Sequence, residues 1–131
     1  MRRNGKAMIV YVVDDEYPIA SALELILLAK GYDSRSFADP LDALEAARSN
    51  SPDLLISDVA MPNMNGIELA IQITQICPAC KVLLFSGQMA TGALYSDAQA
   101  KGYGFELLAK PVHLNELFNK IEELNRSGAS L

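Results

Sequence analysis

Five short apolar segments alternate with five helix-like segments along this chain. Met8–Val13 is a continuous apolar run rich in Val, as expected for a strand that is buried on both faces. The other predicted strands are Tyr32–Phe37, Leu54–Ser57, Lys81–Phe85 and Phe105–Leu108. Strands that alternate with helices form parallel sheets. Each right-handed helical crossover returns the chain to the end of the sheet where the previous strand began, so the next strand runs in the same direction. We therefore predict an α/β protein: a three-layer α/β/α sandwich around a five-stranded, doubly wound parallel sheet.

The predicted helices show apolar residues at steps of three and four, with recognisable start and stop signals. The first is predicted to begin at Pro18 and to stop at Gly31, and the second to begin at Pro40 with Asp39 as its N-cap. The fourth, Gln88–Lys101, has the weakest pattern. The residues predicted to face the core are Ile19, Leu23, Ile26, Leu27, Leu41, Leu44, Ala47, Ile67, Ala70, Ile71, Thr74, Leu114, Leu117, Phe118, Ile121 and Leu124.

Composition supports one folded domain and excludes several classes of protein. The chain has 131 residues, of which 50% are hydrophobic and 21% are charged, so intrinsic disorder is not expected. Its 11 basic and 16 acidic residues give a net charge of −5, which disfavours direct nucleic-acid binding and a polybasic membrane anchor. We expect a single domain over 1–131, with its core at about 7–126.

Membrane insertion is not expected either. The longest uncharged stretch, Val82–Ser96, is 15 residues long and contains several polar residues, whereas a spanning helix needs about 20 apolar ones. The apolar run Ala7–Val13 leads directly into Asp14-Asp15 with no small-residue cleavage site, so it indicates a first strand rather than a signal peptide. We expect a cytoplasmic protein.

Two cysteines occur in the string Cys77-Pro-Ala-Cys80. They follow an apolar helical run, so they are predicted at a helix C-terminus, where the helix dipole does not stabilise a thiolate. A zinc site would need two more ligands, and the chain contains one histidine, His113. We interpret the pair as structural or incidental.

Polar residues stand at the carboxyl ends of four of the five predicted strands: Asp14-Asp15, Asp58, Ser86 and Lys110. These ends meet at one edge of a parallel sheet, which is where such sheets bind ligands. Three carboxylates brought together repel one another and need a cation, and oxygen ligands suit Mg²⁺. Individually, these residues have ordinary explanations as helix-start charges, a turn residue and a surface lysine. Their joint placement favours a shared site.

A carboxylate in such a site can act as a nucleophile towards phosphorus and form an aspartyl phosphate. The ammonium of Lys110 and the hydroxyl of Ser86 would then contact the phosphoryl oxygens. The chain has no glycine-rich phosphate loop, and its single histidine, which follows Lys110-Pro111, gives little support to a hydrolytic triad.

The sequence resembles the receiver domain of two-component response regulators over essentially the whole chain. The matching residues are Asp14-Asp15, Asp58 within the string Asp-Val-Ala-Met-Pro-Asn-Met-Asn-Gly, Ser86-Gly87 and Lys110-Pro111. The resemblance implies a flavodoxin-like strand order of 2-1-3-4-5. It also implies that Asp58 accepts a phosphoryl group from a sensor histidine kinase or a histidine phosphotransfer protein.

The resemblance further implies a role for each site residue. Asp15 would bind Mg²⁺ directly and Asp14 through water, while Asp58 and the backbone carbonyl of Ala60 would complete the protein ligands. Ser86 and Lys110 would contact the phosphoryl group. Phosphorylation would remodel the face formed by helix four, strand five and helix five, through which a downstream protein or output domain is regulated. We expect a monomer or weak dimer.

Two departures from the family pattern affect the expected switching. The family usually has an aromatic residue three positions before the lysine, where this chain has Leu107. We therefore expect activation to act through Ser86 and the loop Gly87–Met89, with Leu107 fixed in one rotamer. The segment between Ser86 and Lys110 is slightly long, which predicts a displaced or partly irregular fourth helix.

Two alternative functions remain open. An aspartyl-phosphate phosphatase usually has a second acid two residues after the nucleophile, and Ala60 occupies that position. A phosphorylation-independent interaction module is disfavoured by the intact acidic pair, Asp58 and Lys110, although Leu107 is compatible with one. The sequence is compatible with a naturally single-domain regulator and with a piece of a larger regulator or hybrid kinase. It does not identify the kinase or the pathway.

Overall fold

A computed structural model of the chain describes residues 2–3, 6–87 and 91–129. Five parallel strands form the central sheet: β1 (Ile9–Val13), β2 (Asp33–Phe37), β3 (Leu54–Asp58), β4 (Lys81–Ser86) and β5 (Glu106–Ala109). Their spatial order is β2-β1-β3-β4-β5, and every neighbouring pair is parallel. The predicted strand order 2-1-3-4-5 is confirmed.

Five helices cover the sheet: α1 (Tyr17–Ala29), α2 (Pro40–Ser49), α3 (Gly66–Ile76), α4 (Thr91–Ala100) and α5 (Leu114–Ala129). Buried residues of α1 and α5 pack on one face of the sheet, and buried residues of α2, α3 and α4 pack on the other. Successive strand residues point to opposite faces, so Tyr11 joins one cluster while Val10 and Val12 join the other. The predicted three-layer α/β/α sandwich is confirmed.

Local start and stop signals act as the sequence indicates. Asp39 caps α2 by accepting a hydrogen bond from the Leu41 N–H, with Pro40 at the first helical position. Gly31 follows the end of α1 with φ +97°, a left-handed conformation that glycine adopts without steric cost. Strand β2 is an outermost strand of the sheet, as its polar composition predicts.

Three residues predicted to face the core are exposed, and those predictions are wrong: Ile19, Leu41 and Leu114 are 50%, 58% and 46% exposed. Ile19 and Leu41 each lie about 100° around their helix from a buried neighbour, Ala20 in α1 and Pro40 in α2. The small neighbour rather than the large apolar residue faces the sheet in both helices.

Element boundaries also shift slightly from those predicted. Asp58 and Ser86 are the last residues of β3 and β4 rather than the first residues of the following loops. Helix α5 continues to Ala129, past the predicted end of the core. A short antiparallel pair, Arg2–Arg3 with Lys6–Ala7, precedes the sheet and was not predicted.

The fourth helix is a regular α-helix of ten residues, Thr91–Ala100. Its predicted start at Gln88 lies outside the described residues, as does most of the loop that follows Ser86. Within the described part of the chain, no helix has both the length and the apolar character needed to cross a membrane.

Candidate functional site

The carboxyl edge of the sheet brings together the acidic residues that the sequence singled out. Asp14 directly follows β1, and Asp58 ends β3, the strand next to β1. Asp14, Asp15 and Asp58 each place a carboxylate oxygen within 4.8 Å of the others. Because the two strands are parallel neighbours, their ends fix these oxygens on adjacent rigid positions.

Lys110 supplies a positive charge to this cluster. It follows β5, and its Nζ lies 3.0 Å from Oδ1 of Asp58. The Asp58 side chain is 7% exposed, whereas the Lys110 side chain is 39% exposed. The partly solvent-exposed lysine therefore contacts a buried carboxylate. One ammonium cannot balance three carboxylates, so the cluster keeps negative charge when all of them are ionised.

Asp14 is the second buried carboxylate of the cluster. Its Oδ1 accepts a hydrogen bond of 2.9 Å from the Glu16 N–H, which fixes the side chain at the start of α1. Burial raises the pKa of Asp14, and the negative charges of Asp58 and Asp15 raise it further, against the opposing effects of the Glu16 N–H and Lys110. Asp15, by contrast, is exposed.

Ser86 and Lys110 are held together through the backbone. The Lys110 N–H donates a hydrogen bond of 2.9 Å to the Ser86 carbonyl, which extends the pairing between β4 and β5 by one step. A Cβ built on Gly87 would lie 3.5 Å from the Lys110 side chain, so the backbone after Ser86 runs alongside that lysine. Ser86 therefore lies on the same edge as Lys110, as the sequence predicts.

Gly66 has a role at the site that the sequence analysis missed. A Cβ at this position would lie 2.2 Å from the backbone oxygen of Asp58 and 3.0 Å from Oγ of Ser57. The Gly66 N–H donates to the Val59 carbonyl at 2.9 Å, and the Ser57 hydroxyl donates to the Asp58 carbonyl at 2.8 Å. The start of α3 thus packs directly against the backbone that carries Asp58. The Asn65-Gly66 pair suggests only a turn, because the close approach arises from tertiary packing.

Local contacts hold the loop between Asp58 and α3. Asn65 and Glu68 form a reciprocal capping box, each side chain accepting from the backbone N–H of the other residue. Asn63 adopts a left-handed conformation with φ 70°, which asparagine tolerates better than most residues. Ala60 lies exposed at the start of this loop, two residues after Asp58.

Leu107 lies on β5, and Tyr95 lies on α4. Leu107 is half-buried on β5 and packs against the core cluster that includes α2, α3 and α4. The Tyr95 hydroxyl donates a hydrogen bond of 2.7 Å to the Phe105 carbonyl, and the Gln99 amide donates to the Tyr95 hydroxyl at 2.9 Å. Tyr95 therefore ties α4 to the start of β5, a contact that the sequence did not indicate.

Comparison with known proteins identifies the class that this fold and site define. The family model for the response regulator receiver domain matches residues 10–122 of the chain, so the chain belongs to that family. It is a receiver domain of the kind found in two-component response regulators.

Two curated relatives show how this domain is used in other proteins. The DNA-binding transcriptional regulator NtrC of Escherichia coli K12 is 35% identical over 114 residues, which cover 87% of this chain and 24% of NtrC. The response regulator receiver protein CpdR of Brucella abortus is 33% identical over 115 residues, covering 88% of this chain and 94% of CpdR. The chain therefore spans about a quarter of the first relative and almost all of the second.

One solved structure is informative about bound groups. The response regulator TrrA of Thermotoga maritima, crystallised in complex with Mg²⁺-BeF, superposes with a TM-score of 0.75 and 28% identity. The match covers 89% of this chain and 98% of the TrrA chain.

Proposed function

We propose that this chain is a phosphoacceptor receiver in which Asp58 takes a phosphoryl group from a phosphohistidine. The observation that carries this proposal is the placement of the Asp58 carboxylate, which is buried, paired with Lys110 at 3.0 Å and clustered with Asp14 and Asp15. A structural ion pair would not need two further carboxylates beside it, because each added negative charge destabilises the others.

The reaction is a displacement at phosphorus. A carboxylate oxygen of Asp58 attacks the phosphorus, the bond between phosphorus and the imidazole nitrogen breaks, and its electron pair stays on that nitrogen. The Lys110 ammonium stabilises the negative charge on the phosphoryl oxygens, and the Ser86 hydroxyl donates a hydrogen bond to one of them. Positioning and charge neutralisation are the main requirements of such a transfer.

The residues at this edge fit Mg²⁺. Carboxylate oxygens are the ligands that this ion prefers, and three of them lie within 4.8 Å of one another. We propose that Asp15 and Asp58 bind Mg²⁺ directly, Asp14 through water, and Ala60 through its backbone carbonyl. When bound, the ion supplies positive charge that neutralises the phosphoryl oxygens. The Mg²⁺-BeF complex of TrrA supports this assignment by similarity.

We propose that the phosphodonor, a sensor histidine kinase or a histidine phosphotransfer protein, docks beside the start of α1. This helix begins two residues after Asp15, so a partner that reaches Asp58 also reaches the first turn of α1. The first turn of α1 exposes two large apolar side chains, Tyr17 at 54% and Ile19 at 50%, which a partner docked beside the site would cover.

We further propose that residues 1–131 contain a single receiver domain, with its core at about 7–126. Its face formed by α4, β5 and α5 would regulate a downstream protein or output domain. An aspartyl-phosphate phosphatase usually has an acid where this chain has Ala60, which disfavours that alternative. A phosphorylation-independent interaction module would have no use for the carboxylate cluster, which disfavours the other. The cytoplasm is the proposed compartment, since phosphohistidine transfer draws on cytoplasmic phosphodonors.

Acetyl phosphate provides a direct test, because it replaces an unidentified kinase as phosphodonor. Intact-mass measurement after incubation with acetyl phosphate and Mg²⁺ should show one added phosphoryl group. Asp58→Asn should abolish the addition, whereas Asp42→Asn, at an exposed position in the first turn of α2, should leave it unchanged. Equal labelling of the wild type and Asp58→Asn would refute the proposed phosphoacceptor.

A further inference from the structure

The two cysteines lie at the amino edge of the sheet, opposite the carboxylate cluster. Cys77 directly follows α3, where its N–H donates to the Ile73 carbonyl, and Cys80 directly precedes β4. This edge is separated from Asp58 by the length of β3, five residues, or roughly 15 Å. The chemistry of the cysteines is therefore independent of the phosphoacceptor.

A tight turn brings the two cysteines together. The Cys80 N–H donates a hydrogen bond of 3.0 Å to the Cys77 carbonyl, which closes a four-residue turn with Pro78 in its second position. The first and fourth Cα atoms of such a turn lie within about 7 Å of each other. A disulfide requires a Cα separation of about 4.4–6.8 Å, so the backbone of this turn is compatible with a bond between the two sulfurs.

The two cysteines share one cavity. Cys77 and Cys80 are free and buried, and both line a cavity of about 340 Å³ at the amino edge. The rest of its lining is Ser51, Pro52, Asp53, Ile76, Pro78 and Ala79. The Sγ of Cys80 lies 3.2 Å from the Lys81 carbonyl, so the sulfur sits on backbone atoms at the start of β4. The Sγ of Cys77 lies 3.9 Å from the Ala47 carbonyl, so each sulfur contacts a backbone carbonyl beside the cavity that both residues line.

We propose that Cys77 and Cys80 form an oxidation site, in which a low-molecular-weight disulfide such as oxidised glutathione converts the two thiols into an intramolecular disulfide. The Cys77 thiolate attacks one sulfur of the reagent, forming a mixed disulfide and releasing one glutathione thiolate. That thiolate accepts the Cys80 proton. Cys80 sulfur then attacks the Cys77 sulfur and releases the second glutathione, so two protein thiols are oxidised and one reagent disulfide is reduced.

The order of these steps follows from the surroundings of the thiols. Burial raises the pKa of Cys80 to about 12, with smaller contributions from Cys77 and Asp53, so little of Cys80 is present as the nucleophilic thiolate at neutral pH. A sulfur with a high pKa is also a poor leaving group, so the resulting disulfide is slow to exchange. This distinguishes the pair from a catalytic dithiol, whose thiolate is stabilised, and agrees with its place at the C-terminal end of α3.

Mass spectrometry of the folded, reduced protein tests the proposal. These are the only two cysteines of the chain, and both lie in one tryptic peptide, residues 49–81. After incubation with oxidised glutathione, that peptide should lose the mass of two hydrogen atoms and recover it on reduction, while the protein stays monomeric on a non-reducing gel. The readout involves no phosphorylation, so it stands apart from the proposed function.

Two single variants test the order of attack. Cys80→Ser should accumulate a mixed disulfide with glutathione on Cys77, whereas Cys77→Ser should react much more slowly under the same conditions. Formation of the internal disulfide in urea but not in the folded wild type would overturn the proposal, as would disulfide-linked dimers as the main product. Neither of these wild-type outcomes depends on the variants folding.

Discussion

Gly66 and Asp58 approach each other so closely that a Cβ on Gly66 would lie 2.2 Å from the Asp58 backbone oxygen. The amino end of α3 therefore packs directly against the end of β3, which carries the Asp58 carboxylate. This packing makes Gly66 part of the support for the candidate site, although its own atoms take no part in the proposed chemistry.

Gly66→Ala should lower the free energy of unfolding by about 1–3 kcal/mol, the usual cost of forcing an extra methyl group into packed surroundings. It should also slow phosphorylation by acetyl phosphate, because β3 and α3 must move apart beside Asp58. Urea denaturation and intact-mass time courses measure the two effects. Gly92→Ala is the matched control, since its Cβ meets nothing within 4 Å and lies in α4. That variant should be more stable than wild type by about 0.5–1 kcal/mol.

Asp14→Asn tests the repulsion within the carboxylate cluster. The amide oxygen can still accept the Glu16 N–H, so the change removes charge and keeps the local hydrogen bond. Without Mg²⁺, the variant should unfold with a free energy about 1 kcal/mol higher than wild type, because one of three clustered negative charges is gone. A variant less stable than wild type under these conditions would contradict this account of the cluster.

Mg²⁺ should stabilise the wild type more than Asp14→Asn. At a concentration tenfold above its dissociation constant, the ion should add about 1.4 kcal/mol to the free energy of unfolding. Thermal unfolding with Mg²⁺ and with a chelator measures the gain for both proteins. The gain at a fixed Mg²⁺ concentration should be smaller in the variant, and an equal gain would remove Asp14 from the proposed ligands.

Cys80 should make the protein sensitive to alkaline pH. Burial raises the pKa of Cys80 from 9.0 to about 12, so the unfolded chain loses this proton before the folded protein does. Its contribution to stability is complete below pH 9 and is lost as the pH rises from 9 to about 12. The difference in unfolding free energy between wild type and Cys80→Ala should therefore shrink across that range. A constant difference would show that the thiol titrates normally in the folded state.

Leu107 should stay in place when the site is occupied by a phosphoryl mimic. Its side chain packs against the core and has no polar tip that could exchange partners at the surface. With Mg²⁺ and beryllium fluoride, amide shifts should be large at Ser86 and Gly87 and small at Leu107. The full predicted loop extends to residues 88–90, which lie outside the described part of the chain. Large shifts confined to β5 would contradict this prediction.

The clustering of the site residues was predictable, because the carboxyl ends of parallel strands all lie on the same side of the sheet. Once the sheet is parallel, Asp14, Asp58, Ser86 and Lys110 must share an edge, and the structure places them there. Gly66 was missed as a support for Asp58 because its need for glycine comes from a contact between α3 and β3 rather than from a local turn.

The helix faces were predicted less well for a related reason. A run of apolar residues does not show which of two neighbours meets the sheet, so Ile19 was preferred to Ala20. The sheet approaches α1 closely enough that the small side chain lies inside and the large one outside. The link from Tyr95 to the Phe105 carbonyl is also set by how α4 is placed on the sheet, which no spacing in the sequence reports.

The most direct test of the central claim is to locate the phosphoryl group within the chain. Borohydride reduction of the acetyl phosphate-treated protein converts an aspartyl phosphate to homoserine, which fragmentation of the tryptic peptide 49–81 can locate. That peptide contains two aspartates, Asp53 and Asp58, so the wild type carries its own internal control. We predict homoserine at Asp58, dependent on Mg²⁺, with Asp53 unchanged. Homoserine at another aspartate, or none at Asp58 when Mg²⁺ and phosphodonor are both present, would contradict the account.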